Sequence, residues 1–149
     1  MLSLLILLLA IFANNGDACP NNGEFGIQAS FYSNYYNCTP KDYKTASSIC
    51  PSYATQPTMG TIPDVFSNAN ILEQIKNVSD CPDFYIGFTY SDNKWSWADG
   101  STFGYLNWEI GYPTNTSNAC ATIKKSNGKW ENHDCSVKKC FICSWFDFD

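Results

Sequence analysis

The 149-residue chain contains no arginine, and all nine of its basic residues are lysines. Without the planar guanidinium fork that reads phosphate and guanine bidentately, nucleic acid is set aside as a partner. Histidine is nearly absent too: His133 stands alone, and neither G-x-S-x-G nor H-E-x-x-H occurs. Hydrolytic chemistry then reduces to one thin alternative, an acid-base pair of His133 with Asp134 or of Glu131 with Asp134, and the chain is read as a non-enzyme. Beyond the first dozen residues no apolar run approaches the roughly 18 residues that a membrane helix needs, so no membrane anchor is expected.

What is present begins with MLSLLILLLAIFANNGDAC, where residues 2 to 12 are almost wholly apolar and small residues precede Cys19. This reads as a secretory signal over residues 1–18 with cleavage near Ala18, leaving a single extracellular domain over residues 19–149. Removing it takes Asp17 from the 14 acids and none of the nine bases, so the released product is mildly acidic. Eight cysteines (19, 38, 50, 81, 120, 135, 140 and 143) form an even set, which in a secreted chain favours four disulfides over zinc. The run CFIC has zinc-knuckle spacing, but its filling of Phe141 and Ile142 reads as a strand.

Coarse patterning places helices first and strands last. FGIQASFYSNYYN, residues 25–37, suits an early strand. Tyr43, Ala46, Ile49 and Cys50 recur at helical spacing before Pro51, with Cys50 facing the core. Val65, Phe66, Ala69, Leu72, Ile75 and Lys76 repeat that period over Asp64 to Val78, behind Pro63. Then come strand-like FYIGFTY, WSWADGS with a turn at Asp99 and Gly100, a long loop, ACATIKK, NGKW and CFICSWF. Such segregation predicts an α+β domain.

Several motifs in this order resemble the C-type lectin-like domain. They are YIGF (Tyr85 to Phe88), WSWADGS (Trp95 to Ser101), WEIGYP (Trp108 to Pro113), Cys120, GKW (Gly128 to Trp130), Cys135 and FIC (Phe141 to Cys143). The resemblance implies two helices, antiparallel sheets and a long disulfide-tied loop, with bridges Cys50–Cys143 and Cys120–Cys135. It also implies that Trp95, Trp97, Trp108 and Trp130 are core. Cys19, Cys38, Cys81 and Cys140 remain, and three pairings are open. If the first and last strands are antiparallel, the end of one lies near the start of the other. That favours Cys38 with Cys140 and leaves Cys19 with Cys81, whereas Cys19 with Cys38 would make a local staple.

The stretch GKWENHDC gathers Glu131, Asn132, His133 and Asp134, all with metal-ligand or acid-base atoms. In sugar-binding members of the family a calcium ion is held by an EPN or QPD triplet, a glutamate just before the loop cysteine and the two residues after tryptophan in WND. Carried over, these positions are Tyr112, Pro113 and Thr114, then Asn118, then Glu131 and Asn132. Only Glu131 is a carboxylate, while calcium takes six to eight oxygens and rewards negative charge. The resemblance thus implies a degenerate calcium position and no required cofactor. A weak ion on Glu131, Asn118, Asn132 and Thr114, with Asp134 as a substitute, is the alternative. In the blander reading Glu131, His133 and Asp134 are the solvated rim of a disulfide loop.

The expectation for function is a secreted recognition module that takes a glycan or protein ligand without calcium, with a role in defence implied by family analogy. Candidate ligand-binding residues are Tyr112, Asn115, Asn118, Glu131, Asn132 and His133. The alternatives are a calcium-dependent carbohydrate-binding lectin and a coat or inhibitory protein. Asn37, Asn77 and Asn115 head N-x-S/T sequons and are candidate glycosylation sites.

Overall fold

The computed structural model describes residues 32–52, 57–78, 80–114 and 117–146. The early strand is β1, Tyr32–Lys41; the part of that expectation before Tyr32, the signal segment and Cys19 lie outside the described residues. Asp42 then caps helix α1, Tyr43–Ile49, its carboxylate accepting from the Thr45 amide at 2.9 Å and the Thr45 hydroxyl at 2.7 Å. A single 3-10 turn, Cys50–Ser52, follows at Pro51. Strand β2 is only Thr58–Met59 and carries no sequence signal of its own.

Helix α2 spans Val65–Ile75, ending three residues short of the expected Val78. Asp64 caps it by accepting from the Ser67 amide at 2.7 Å. Its buried face differs from the one the periodicity gave. Ser67, Asn68, Ile71 and Ile75 point inward, whereas Val65 and Phe66 are exposed. The reason is Asn68, whose amide is drawn inward to accept from the Trp130 indole (2.8 Å) and donate to the Gly128 carbonyl (3.1 Å). Those two bonds rotate the helix so that its apolar N-terminal pair faces water.

The remaining strands are β3, Asp83–Ser91; β4, Lys94–Trp97; β5, Ala119–Lys124; β6, Trp130–Asp134; and β7, Lys139–Phe146. The β3–β4 hairpin turns at Asp92 and Asn93, both with positive φ as a two-residue primed turn requires. The expected turn at Asp99 and Gly100 lies beyond β4, where Gly100 donates to the Trp97 carbonyl. One sheet runs in the order β1-β7-β3-β5-β6, with β2 on β7 and β4 on β3. All its pairings are antiparallel except β3 with β7, which are parallel through Phe84↔Cys140 and Tyr85↔Phe141. The class is α+β, and the sheet is mixed where antiparallel sheets were expected.

That parallel pair decides the third staple. Cys81 stands just before β3, beside the start of β7, and is bonded to Cys140 with Cα atoms 5.9 Å apart. The favoured pairing of Cys38 with Cys140 is therefore overturned, along with its corollary Cys19 with Cys81. Strands β1 and β7 are indeed antiparallel, but the register slips between Asn37 and Lys41 and takes Cys38 out of opposition. Cys38 is also disulfide-bonded. Cys50–Cys143 and Cys120–Cys135 stand at Cα separations of 5.4 and 5.1 Å. With sequence separations of 93, 59 and 15, loop-closure entropy assigns the three staples about 4.5, 4 and 3 kcal/mol.

Side chains fill both sides of the sheet. On one, Phe84, Ile86, Phe88, Ile123, Trp130 and Ile142 pack with Ile71 and Ile75 of α2. On the other, Tyr85, Cys120, Phe141 and Cys143 pack with Ala46 and Cys50 beneath α1. No helix among the described residues is long and apolar enough to cross a membrane.

Gly87 lies where β3 passes the backbone after β2. It donates to the Gly60 carbonyl at 2.6 Å, and a Cβ there would stand 2.7 Å from the Met59 carbonyl oxygen. Backbone cannot step aside as a side chain end can. Gly87→Ala is expected to destabilise the domain by about 3 kcal/mol or more, read as a lowered midpoint in chemical denaturation.

Candidate functional site

The site is built on Trp130, the first residue of β6 and fully buried. Its indole lies edge-on to Trp97 (5.7 Å), Tyr105 (5.6 Å) and Trp108 (5.9 Å). Its backbone is paired with the long loop: the Glu109 amide donates to the Trp130 carbonyl, and the Trp130 amide donates to the Asn107 carbonyl, each at 2.8 Å. Trp97 is buried, while Trp95 and Trp108 are partly buried against the same cluster. Gly128, with φ of 71°, leads into the strand, and its carbonyl accepts from both Asn68 and Asn107.

The stretch WENHD is strand, contrary to its reading as a loop rim. Successive side chains in a strand point to opposite faces, and Trp130 fixes which is which. Asn132 follows Trp130 inward and is buried, its Oδ1 accepting from the Thr114 amide at 2.8 Å. Asp134 lies on that same face, accepting from the Asn118 side chain (2.9 Å), the Ser136 amide (2.8 Å) and the Ser136 hydroxyl (2.7 Å). Those hydrogen bonds, the Ser136 hydroxyl first, hold its carboxyl below the usual range. Tyr112 is half-buried, joined to Pro113 by a cis peptide, and its amide donates to the Glu109 carbonyl at 3.0 Å. Asn118 is exposed with φ of 49° and accepts from the Cys135 amide at 2.9 Å. Asn115 lies outside the described residues.

Glu131 and His133 point the other way. Glu131 pairs with Lys124 at 3.0 Å. The His133 Nε2 atom stands 3.3 Å from Asp83 Oδ2 and 3.6 Å from Glu131 Oε2. Asp83, buried at the head of β3, also meets the Lys139 ammonium at 2.6 Å and the Thr122 hydroxyl at 3.2 Å. Lys124 reaches on to Glu109 at 3.4 Å. The result is a line in which basic and acidic side chains alternate, Lys139, Asp83, His133, Glu131, Lys124 and Glu109, which sequence reading missed. Its only signal was the two-residue alternation of Thr122 with Lys124 and of Glu131 with His133. That alternation goes unread once WENHD is taken as a loop.

The candidates thus fall into two groups on opposite faces. Tyr112, Thr114, Asn118 and Asn132 stay together beside the long loop. Glu131 and His133 leave them. The donor set does not fit calcium: Glu131, the one carboxylate among the carried-over positions, is turned to an ammonium. The Asn132 carbonyl oxygen already takes an amide, and the Tyr112 phenol offers no charge. Among the described residues, no group of three or more His, Cys, Asp or Glu side chains is arranged to hold a metal ion. The acid-base pairs considered from sequence fare no better, since Asp134 lies across the strand from Glu131 and His133.

With the fold and the loop in view, the class is defined. The chain belongs to the C-type lectin domain family, whose family model (Lectin C-type domain) matches residues 39–145. Mouse C-type mannose receptor 2 is 43% identical over 63 residues, 40% of this chain, and the chain spans only 4% of that receptor's length. Lectoxin-Phi1, a C-type lectin of Philodryas olfersii, is 27% identical over 154 residues, 97% of this chain and 95% of the relative. Among solved structures, human lithostathine superposes with a TM-score of 0.72 at 23% identity over 87% of this chain and 92% of that one. A calcium-independent type II antifreeze protein does so at 0.71 and 19%, over 87% and 95%.

Burial alone would raise the Asp83 carboxyl, but contacts with His133 and Lys139 outweigh it and leave the group below the usual range. A carboxyl depressed in the folded state stabilises above its unfolded value, and the contribution fades as pH falls through the folded one. Folding free energy should therefore drop as pH is lowered from about 4 toward 2. Denaturant melts across that window should show a shallower slope for Asp83→Asn. The same variant should be weaker at pH 7, where it leaves the Lys139 ammonium without its carboxylate.

Proposed function

We propose that the chain is a secreted, non-catalytic C-type lectin-like recognition module that takes a glycan or protein ligand without calcium. The observation that carries this is the Asn132 amide. Its oxygen, at a position where sugar-binding relatives of the family offer the ion a ligand, is used inside the protein to hold the Thr114 backbone. A group used in this way organises the loop and has less acceptor capacity left for a metal. The antifreeze neighbour is a calcium-independent protein, so the fold is compatible with such a state.

The ligand face in this reading is made of Tyr112, Thr114 and Asn118. Asn115 is included from the sequence, and the 94% exposed Ile110 lies at the adjoining turn. Tyrosine gives contact area and amides give adaptable hydrogen bonds. Asn132 supports that face from below, and Glu131 and His133 lie off it. We further assign residues 1–18 to a cleaved signal and 19–149 to the released domain, with Asn37, Asn77 and Asn115 as glycan acceptors.

The test is paired. Melting of the purified mature domain with millimolar calcium and with a chelator should give the same midpoint, since only an ion that binds the folded form raises it. Retention on immobilised mannose, GlcNAc and galactose should be equal in both buffers, with Tyr112→Ala reducing whichever retention is found by about tenfold. A calcium-raised midpoint together with chelator-sensitive retention would establish the alternative, a calcium-dependent lectin.

A further inference from the structure

We propose that Lys124 is a positioning residue: its ammonium, lying between the Glu109 and Glu131 carboxylates, is the built-in cation that clamps the turn of the long loop against the sheet. Three segments meet there. Lys124 ends β5, Glu131 is the second residue of β6, and Glu109 belongs to the loop segment that pairs with Trp130 along the open edge of β6. The ammonium stands 3.0 Å from Glu131 Oε1 and 3.4 Å from Glu109 Oε2. It thus reaches across one strand to hold the next segment out.

Glu109 is held as a clamp residue should be. Its Oε2 also accepts from the Asn127 side chain at 2.8 Å, and its Oε1 accepts from the Ile110 amide at 3.1 Å. Its carbonyl takes the Tyr112 amide, closing the turn that presents Ile110 and Tyr112. Isolated surface ion pairs contribute little, and networks of fixed geometry are the exception. Here the three side chains keep only 27%, 24% and 18% of their exposure, and each carboxylate has at least one further polar neighbour. The geometry therefore gives this loop a positive charge that cannot diffuse away. The clamp rests on the proposed function only for what the turn presents; the tie itself stands or falls separately.

Amide hydrogen exchange of the full mature chain tests it, read at residues 109–112 against the β3 and β7 amides as internal reference. Lys124→Met, which keeps the aliphatic stem, and Glu109→Gln are each expected to speed exchange of the turn by about five- to tenfold. The double variant should be no faster than either single one, because both remove the same interaction. Lys124→Arg should restore native protection, and 0.5 M salt should move the native chain toward the variants. Unchanged turn exchange in Glu109→Gln, multiplying effects in the double variant, or failure of Lys124→Arg to rescue would overturn the clamp. If Lys124→Met fails to fold, Glu109→Gln with the salt series decides alone. Calcium-sensitive ligand retention with these results intact would sink the calcium-free reading and leave the clamp standing.

Discussion

Burial of one indole determines the site. Trp130 has no exposed surface, and its Nε1 donates to Asn68 in α2 while its backbone pairs with Asn107 and Glu109 of the long loop. Helix, loop and sheet therefore meet at one side chain. Because strand residues alternate, fixing Trp130 inward also fixes Asn132 inward and sends Glu131 and His133 to the far face. A slip of one residue would exchange the two sets and bring Glu131 beneath the loop. The burial of a large aromatic, stabilising by about 3 kcal/mol or more, makes that slip costly. So the chemistry that neighbouring residues can share is decided by packing two positions away.

The long loop poses a second physical problem. Between β4 and β5 runs a connection of about twenty residues, where most are far shorter, and its described residues form no sheet ladder beyond the bridge of Trp108 with Trp130. Their backbone groups need partners supplied one at a time. Asn107, Glu109, Tyr112 and Thr114 all contribute such contacts, and the Cys120–Cys135 staple holds the base of the loop to β6. Amide and carboxylate side chains thus serve as fixtures, and the residues that look most like ligands in the sequence are those most used internally. Asn132 is the clearest case.

Much of this was legible in the sequence, and what was not has identifiable causes. Hydrophobic periodicity carried the two helices, and the resemblance carried the class and the bridges Cys50–Cys143 and Cys120–Cys135, because each rests on several residues at fixed spacing. The pairing of Cys81 with Cys140, the complement of the competing choice Cys19 with Cys38, was open but not favoured, since it depends on the parallel pairing of β3 with β7 and on a slip in β1, neither of which leaves a local pattern. The inward face of α2 was misread because Ser67 and Asn68 are polar. Periodicity ranks them outside, while a hydrogen bond to a distant indole draws Asn68 in. At the candidate site, the residue types were found but not their faces. Loop-like composition in WENHD hid the alternation that separates Glu131 from Asn132.

A line of alternating basic and acidic side chains across the strand-β6 side of the sheet follows from that separation. Carboxylates sent to a half-buried face without partners would be strongly disfavoured. Lysine has the reach to meet them from a neighbouring strand, and its point charge on a flexible stem can sit between two acids. Both Lys124 and Lys139 do this, one between Glu109 and Glu131, the other beside Asp83. A divalent ion offers more charge, but its occupancy varies with the surroundings. A tethered ammonium is always present at high local concentration. Under the calcium-free reading this accounts for how a loop with few backbone bonds keeps one shape with or without calcium, at the expense of the chelating oxygens that a sugar-bound ion requires.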